Sequence, residues 1–225
     1  MLKNVRLKLA FNRLQREMEN FRDDLTAEDL LDFAYSEIGS LITPWQYREE
    51  ISQLTAEIEK LKPENALEIG TANGGTLFLL CRLAHEKARI MSIDLPDGKF
   101  GGGYPEWKTT LYKKFALPEQ ELDLVRGDSH LPDTFEMVKS KFGDAELDYL
   151  FIDGDHSYKG VKQDYEMYSP LVRKGGIIAF HDIVEHKGSG CKVYEFWNEI
   201  KAGKESKEFV NDYKQGQYGI GILYN

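Results

Sequence analysis

The chain has 225 residues, 41% of them hydrophobic, which is enough to remove roughly 70–75% of its unfolded surface from water without a disulfide or metal staple. Its 29 Lys and Arg against 38 Asp and Glu leave a net charge of −9, which argues against a broad basic surface for nucleic acid. Cys81 and Cys191 are the only cysteines. Their spacing indicates neither a disulfide scaffold nor a thiolate zinc site, and no apolar run reaches the ~18–20 residues of a membrane span.

Residues 1–40 are expected to form a helical N-terminal arm, ahead of one larger domain over 41–225. Leu7, Phe11, Leu14, Met18 and Phe21 recur at steps of four and three and share one helical stripe. The opposite side carries Lys3, Arg6, Lys8, Arg13 and Arg16. That pattern suits a docking or dimerisation arm, so a homo-oligomer formed through these helices is expected. A membrane-surface anchor is disfavoured by Glu17 and Glu19. Thr26 can cap a second helix through Leu30, Leu31, Ala34 and Ile38, with Asp24, Glu28 and Asp29 near its positive end. Thr43-Pro44-Trp45-Gln46 reads as a capping box with proline at the first helical position, opening a helix that buries Ile51, Leu54, Ile58 and Leu61.

From Ala66 onward short apolar runs alternate with helical ones, the signature of βαβ units and a parallel sheet. Strands are predicted at 65–70, 89–94, 122–126, 147–153 and 176–181, with helices at about 75–86, 105–115, 132–142, 157–171 and 191–201. Glu208–Tyr213 and Tyr218–Tyr224, joined by Lys214-Gln215-Gly216-Gln217, predict an antiparallel hairpin.

The first strand runs into Glu68-Ile69-Gly70-Thr71-Ala72-Asn73-Gly74-Gly75-Thr76, a glycine-rich turn that opens a helix. Such a turn lets a ligand approach the backbone, and the free N–H groups of the helix start attract an anion. The Gly-x-x-x-Gly spacing departs from the dinucleotide fingerprint, which weakens a nicotinamide reading. The second strand ends at Asp94, where a carboxylate can accept both hydroxyls of a ribose.

These residues resemble the class I S-adenosylmethionine-dependent methyltransferases, in particular the metal-dependent O-methyltransferases of catechol and caffeoyl-CoA type. They also resemble bacterial relatives of cephalosporin-hydroxylase-like and sugar or macrolide O-methyltransferase type. The resemblance spans about residues 42–225. It implies a Rossmann-like, doubly wound, seven-stranded α/β sheet, mostly parallel with an antiparallel last strand. Glu68, Gly70 and Gly74 match its cofactor loop, with Asn73 in the same turn. Thr76 falls where a hydroxyl binds the methionine carboxylate, Asp94 on the ribose acid, and Gly127-Asp128-Ser129 on the segment lining the adenine.

The fourth strand ends in Asp153-Gly154-Asp155-His156 and the fifth in His181-Asp182. Adjacent parallel strands set their carboxyl ends side by side, so the acids Asp153 and Asp182 and the two histidines converge where open α/β sheets bind ligands. Carboxylates with imidazole can hold a divalent cation. In the resembling enzymes Asp153 would ligate Mg2+, together with the residues matching His181 and Asp182. His181 replaces a usual carboxylate, which makes Mn2+, Fe2+ or Zn2+ more admissible. His156 stands where the catechol-type enzymes carry a lysine base, and an imidazole with pKa near ~6.5 could accept a hydroxyl proton. Asp155 reads as a loop cap, and His85, His130 and His186 as solvated loop residues.

The expected activity is transfer of a methyl group from S-adenosylmethionine to a hydroxyl of a small-molecule or sugar acceptor, in the cytoplasm. Asp153 would serve both the metal and the methionine amine. The glycine-rich loop Pro96–Tyr104 is expected to cover the site, with Tyr104 and Trp107 as substrate walls. The alternatives are a nucleotide-sugar or NAD-dependent enzyme on a similar sheet, and a non-catalytic scaffold that keeps the fold.

Overall fold

The apolar runs after residue 64 become strands because helices cover both sheet faces, so most residues of the central strands are buried. A computed structural model describes residues 2–22, 25–98, 100 and 102–225, with backbone alone for 2–6. The side chains of Lys3 and Arg6, and all of Asp24, Lys99 and Gly101, lie outside the described residues.

Strands β1 (Asn65–Ile69), β2 (Arg89–Asp94), β3 (Glu121–Arg126), β4 (Leu147–Ile152), β5 (Val172–His181), β6 (Ser206–Phe209) and β7 (Ile220–Tyr224) form one seven-stranded sheet, ordered β3-β2-β1-β4-β5-β7-β6. Strands β1 to β5 are parallel, and β7 runs antiparallel to both of its neighbours. This is the Rossmann-like sheet implied by the resemblance. Strand order reverses between β1 and β4, where the crossover helices leave for opposite faces and a crevice opens at the strands' carboxyl ends.

Helices α1 (Leu2–Glu19), α2 (Ala27–Ala34), α3 (Arg48–Leu61), α4 (Gly75–Leu83) and α5 (Thr109–Tyr112) cover one face. Helices α6 (Pro132–Phe142), α7 (Tyr158–Tyr168) and α8 (Val193–Ile200) cover the other. Leu14 and Met18 of α1 are buried in the same core as Phe78 of α4. Phe21 meets Phe33 and Phe78 edge-on, with ring centroids 4.7 and 5.5 Å apart. The predicted stripe therefore faces inward, except that Leu7 is exposed together with Leu9. Helix α2 starts as expected: Thr26 Oγ1 accepts from Asp29 N, and Asp29 Oδ2 accepts from Thr26 N. It ends at Ala34, so Ile38 falls in a following 3-10 turn. Among the described residues no helix is long and apolar enough to cross a membrane.

Three expectations are corrected by tertiary contacts. The proposed capping box at Thr43 does not form, because α3 begins at Arg48 behind an extended Tyr47. Thr43 Oγ1 instead donates to Ala34 O at 3.1 Å, and Pro44 packs against Gly75, where an added Cβ would lie 2.6 Å from the proline ring. Residues 42–47 thus form a strap over the glycine turn. The predicted 105–115 helix breaks into a 3-10 turn at Glu106–Lys108 followed by the short α5. The hairpin loop is also longer than predicted and covers 210–219, because the buried Glu50 carboxylate of α3 accepts from Asn211 N, Gln215 Nε2 and Gly219 N.

If α1 is part of the core, Leu14→Ala should lower unfolding stability by about 2–5 kcal/mol, whereas Leu7→Ala should change it by about 0.5 kcal/mol or less. Urea denaturation of the two variants checks this; equal, small effects would show that α1 contributes little.

Candidate active site

Parallel pairing aligns Ile69 with both Ile93 and Ile152, and Ile152 with Phe180. The residues that follow these four therefore leave the sheet at one level. Gly70 has φ +95°, and a Cβ there would lie 2.0 Å from the Asp153 carbonyl oxygen. Only glycine lets the β1 and β4 ends approach this closely. At Gly74, φ is +85° and the Tyr112 ring occupies the space that a side chain would need.

Asp94 is buried at the end of β2 and accepts from Ala72 N of the glycine turn and from Gly103 N of the following loop, each at 2.8 Å. Burial raises its pKa against these amide bonds. Asn73 Oδ1 accepts from the buried Lys108 Nζ at 3.1 Å, and the same ammonium donates to Leu41 O. Asp128 Oδ1 accepts from His130 N, and Ser129 Oγ donates to the buried Asp164.

At the neighbouring strand ends the charges are tightly gathered. His181 Nδ1 is 3.0 Å from Asp153 Oδ1 and His156 Nε2 is 3.2 Å from the same oxygen. His156 Nδ1 is 2.9 Å from Asp182 Oδ2, and His186 Nε2 is 3.1 Å from Asp182 Oδ1. Gln46 Nε2 of the strap donates to Asp153 Oδ2 at 3.4 Å. Burial pushes both carboxylates up, yet the charge of His181 and the hydrogen bonds of His156 outweigh it, and both are held below the usual range. For His156 burial favours the neutral ring, but Asp153 and Asp182 on its two nitrogens prevail and raise its pKa far above the ordinary value. Flanked in this way the ring is biased toward its protonated form, unlike the free imidazole from which its base role was expected.

Two chambers form one cleft over these ends. A cavity of about 290 Å³ is lined by Gly70, Asn73, Gly74 and Thr76 on one side and by Asp153, His156, His181 and Asp182 on the other. A second, of about 150 Å³, is lined by Asp94, Asp128 and Ser129. They share Gly70, Ala72, Phe100, Gly102, Asp153 and Gly154.

A family model described as a methyltransferase domain matches residues 67–183, more than half of the chain. The chain belongs to this methyltransferase family. Over 170 residues it is 26% identical to the uncharacterized protein y4gI of Sinorhizobium fredii, covering 74% of this chain and 18% of that protein. It is 25% identical over 131 residues to the caffeoyl-CoA O-methyltransferase of Medicago sativa, covering 56% and 48%. The chain thus spans less than two thirds of these relatives' lengths. Among solved structures it superposes on an O-methyltransferase of Bacillus cereus in complex with SAH, with TM-score 0.58, 16% identity, and 91% and 93% of the two chains covered. It likewise superposes on TomG of Streptomyces achromogenes in complex with SAM, with TM-score 0.57, 15% identity and 90% of each chain covered.

Among the residues singled out from the sequence, one stands apart from the cleft. Glu68 lies in neither chamber; it is buried beneath the glycine turn, accepting from Thr76 Oγ1 and Ser92 Oγ at 2.6 Å each. Asp155 caps its own loop through Ser157 N, as expected. Tyr104 and Trp107 are not among the lining residues. Tying Gly103 to Asp94 turns Tyr104 into the core against Tyr112 and Arg126, while Trp107 packs edge-on to Phe11 of α1. Phe100 takes their place and stacks on His156, centroids 5.2 Å apart. His130 and His186 are also not solvated: each faces buried carboxylates. Sequence reasoning missed Gln46, Trp45, Gln217 and Tyr218, which line the larger chamber. A proline-aromatic-glutamine step just before the domain's first helix is the only local signal for the first two.

Asp153, His181 and Asp182 offer ligand atoms within 4.8 Å of one another. Among the described residues His181 Nε2 is buried without a hydrogen-bond partner. Two carboxylates, an imidazole and an unsatisfied ring nitrogen fit a divalent cation.

Burial lifts the Glu68 pKa to about 8 against its two hydroxyl bonds. The native state then holds more protons than the unfolded chain between about pH 4.5 and 8, and stability falls as pH rises through that window. Glu68→Gln should flatten this slope in denaturation midpoints measured from pH 5 to 8.5. Parallel slopes would place the proton elsewhere.

Proposed function

We propose that this chain moves the methyl group of S-adenosylmethionine to a hydroxyl of a small-molecule or sugar acceptor, with a divalent cation held by Asp153, His181 and Asp182. The observation that carries the reading is the cleft of two chambers meeting at Asp153. One chamber has the parts for an adenosine, the other the parts for proton removal.

The ribose hydroxyls would reach the Asp94 carboxylate, which still has acceptor capacity beside its two amides, since an ionised carboxylate offers about four lone-pair sites. Adenine would lie along Gly127, Asp128 and Ser129, and the methionine end along Gly70 to Thr76. Its ammonium would lie near Asp153 and Gln46 Oε1, a buried acceptor without a partner among the described residues. The negative charge of this cleft suits a sulfonium donor. On the far side Trp45, Phe100 and Tyr218 form flat walls for a ring-shaped acceptor.

When bound, the cation would lower the pKa of an acceptor hydroxyl and share the charge of Asp153 and Asp182. His156 would take the hydroxyl proton, and Asp153 and Asp182 on its two nitrogens set its orientation and basicity. The acceptor oxygen then forms its bond to the methyl carbon as the carbon–sulfur bond breaks. The proton stays on His156, and the products are a methyl ether and S-adenosylhomocysteine. Since the donor is already activated, alignment by the glycine turn and strap supplies much of the rate.

Two measurements test the reading. Asp94→Ala should weaken S-adenosylmethionine binding by about tenfold to a hundredfold, the worth of a charge-assisted hydrogen bond, in calorimetry; unchanged affinity would remove the ribose assignment. His156→Ala should lower kcat by about 10²–10⁴-fold, the usual contribution of a general base, with cofactor affinity within about threefold of the parent. Wild-type turnover by that variant, or full turnover of the parent in excess EDTA, would overturn the mechanism.

A further inference from the structure

Cys191 enters the charged cluster from a segment that the sequence placed far from it. Lys192 N donates to His156 O at 2.7 Å, and this bond between the segment before α8 and the end of β4 sets Cys191 beside His156. Cys191 is buried, with Sγ 4.0 Å from Asp182 Oδ2. The same carboxylate oxygen is 2.9 Å from His156 Nδ1, and the three ligand atoms all lie within 4.8 Å of one another. Asp182 is held in the left-handed region at φ 62°, a strained backbone for a residue with a side chain, and one that fixes its carboxylate between the two loops.

We propose that His156, Asp182 and Cys191 form a binding site for a thiophilic divalent cation such as Zn2+, set beside the oxygen-rich group of Asp153, His181 and Asp182. Thiolate, imidazole and carboxylate are the donor types that zinc takes, at about 2.3, 2.0 and 2.0 Å, with solvent completing the tetrahedron. Those lengths put the O–N and O–S edges of a tetrahedron at about 3.3 and 3.5 Å. The 2.9 and 4.0 Å separations are therefore within about half an ångström of the geometry required. Mg2+ and Ca2+ select against sulfur, so the thiolate divides this corner from its neighbour by ligand softness. Asp182 serves both corners through different oxygens: Oδ2 faces His156 and Cys191, while Oδ1 faces His181 and His186.

Cys191 and His186 also line a separate surface pocket with Glu185 and Glu195, which gives a cation an approach to the sulfur from outside the main cleft. On binding, the S–H bond breaks as the S–metal bond forms, and the protons of the thiol and of His156 Nδ1 pass to solvent. A cation so placed holds the imidazole that the proposed reaction needs, so Zn2+ would inhibit where a harder ion supports turnover. That consequence rests on the methyl-transfer reading; the binding does not.

The test uses the full chain, freed of metal and titrated with Cd2+ alone, with the ultraviolet thiolate-to-Cd2+ charge-transfer band as readout. The expected result is one saturating equivalent, displaced by Zn2+. The band should be lost in Cys191→Ser, kept in Cys81→Ser, and weakened at least tenfold in affinity in both His156→Gln and Asp182→Asn. A band that survives Cys191→Ser overturns the proposal, as does wild-type affinity in both ligand variants, which would mean a lone thiol. Circular dichroism confirms that each variant is folded, and if Asp182→Asn is not, His156→Gln decides alone. Calorimetry with S-adenosylmethionine on the same samples reports on the methyl-transfer reading separately.

Discussion

Asp153 joins segments more than a hundred residues apart. Its carboxylate touches Gln46 from the strap, His156 from its own loop and His181 from β5, while its carbonyl lies close against Gly70 just after β1. A buried carboxylate is costly unless it is paired and hydrogen-bonded. With Asp182 a few ångströms away, the cluster holds together only because imidazoles stand between the acids. Removing one imidazole leaves a carboxylate charge unpaired, and removing one acid leaves a buried cation. The arrangement is stable as a set, which is why its members must come from strands in fixed register.

That register is a property of the sheet. Branched and aromatic residues of β1, β4 and β5 are buried on both faces, and slipping one strand by a residue would move its entire apolar set to the wrong layer. The core thus determines that the four strand ends finish level, and the polar residues just beyond them inherit their positions. The cleft's shape depends on the same economy. One buried acid of α3, Glu50, gathers three donors of the 210–219 loop and so carries Gln217 and Tyr218 to the chamber wall, without taking part in the chemistry proposed there.

Much of this was legible in the chain. The alternation of apolar runs, the glycine turn after Glu68 and the acids at Asp94, Asp153 and Asp182 are local features, and parallel strands convert such local positions into neighbours. Thr26 capped its helix because both partners of the box lie within one turn. Thr43 did not, although its pattern was as good. Ala34, Gly75 and Asp153 compete for the strap's polar groups and its proline, and their contacts outweigh a cap worth about 1 kcal/mol. Tyr104 misled in the same way: the amide of Gly103 is drawn to Asp94, and the next side chain follows the backbone into the core.

The sequence by itself determined the alternation of strands and helices and the strand-end residues, because hydrophobic periodicity and glycine placement act over a few positions; the seven-stranded topology came from the resemblance. Only the tertiary structure decided the pairing of His156 with two carboxylates, the withdrawal of Glu68 from the cleft, and the arrival of Phe100, Gln46 and Cys191 at the site. Each of these depends on a partner distant in sequence. The energy of a buried charge or an unpaired amide is set by what surrounds it, and no spacing along the chain records that.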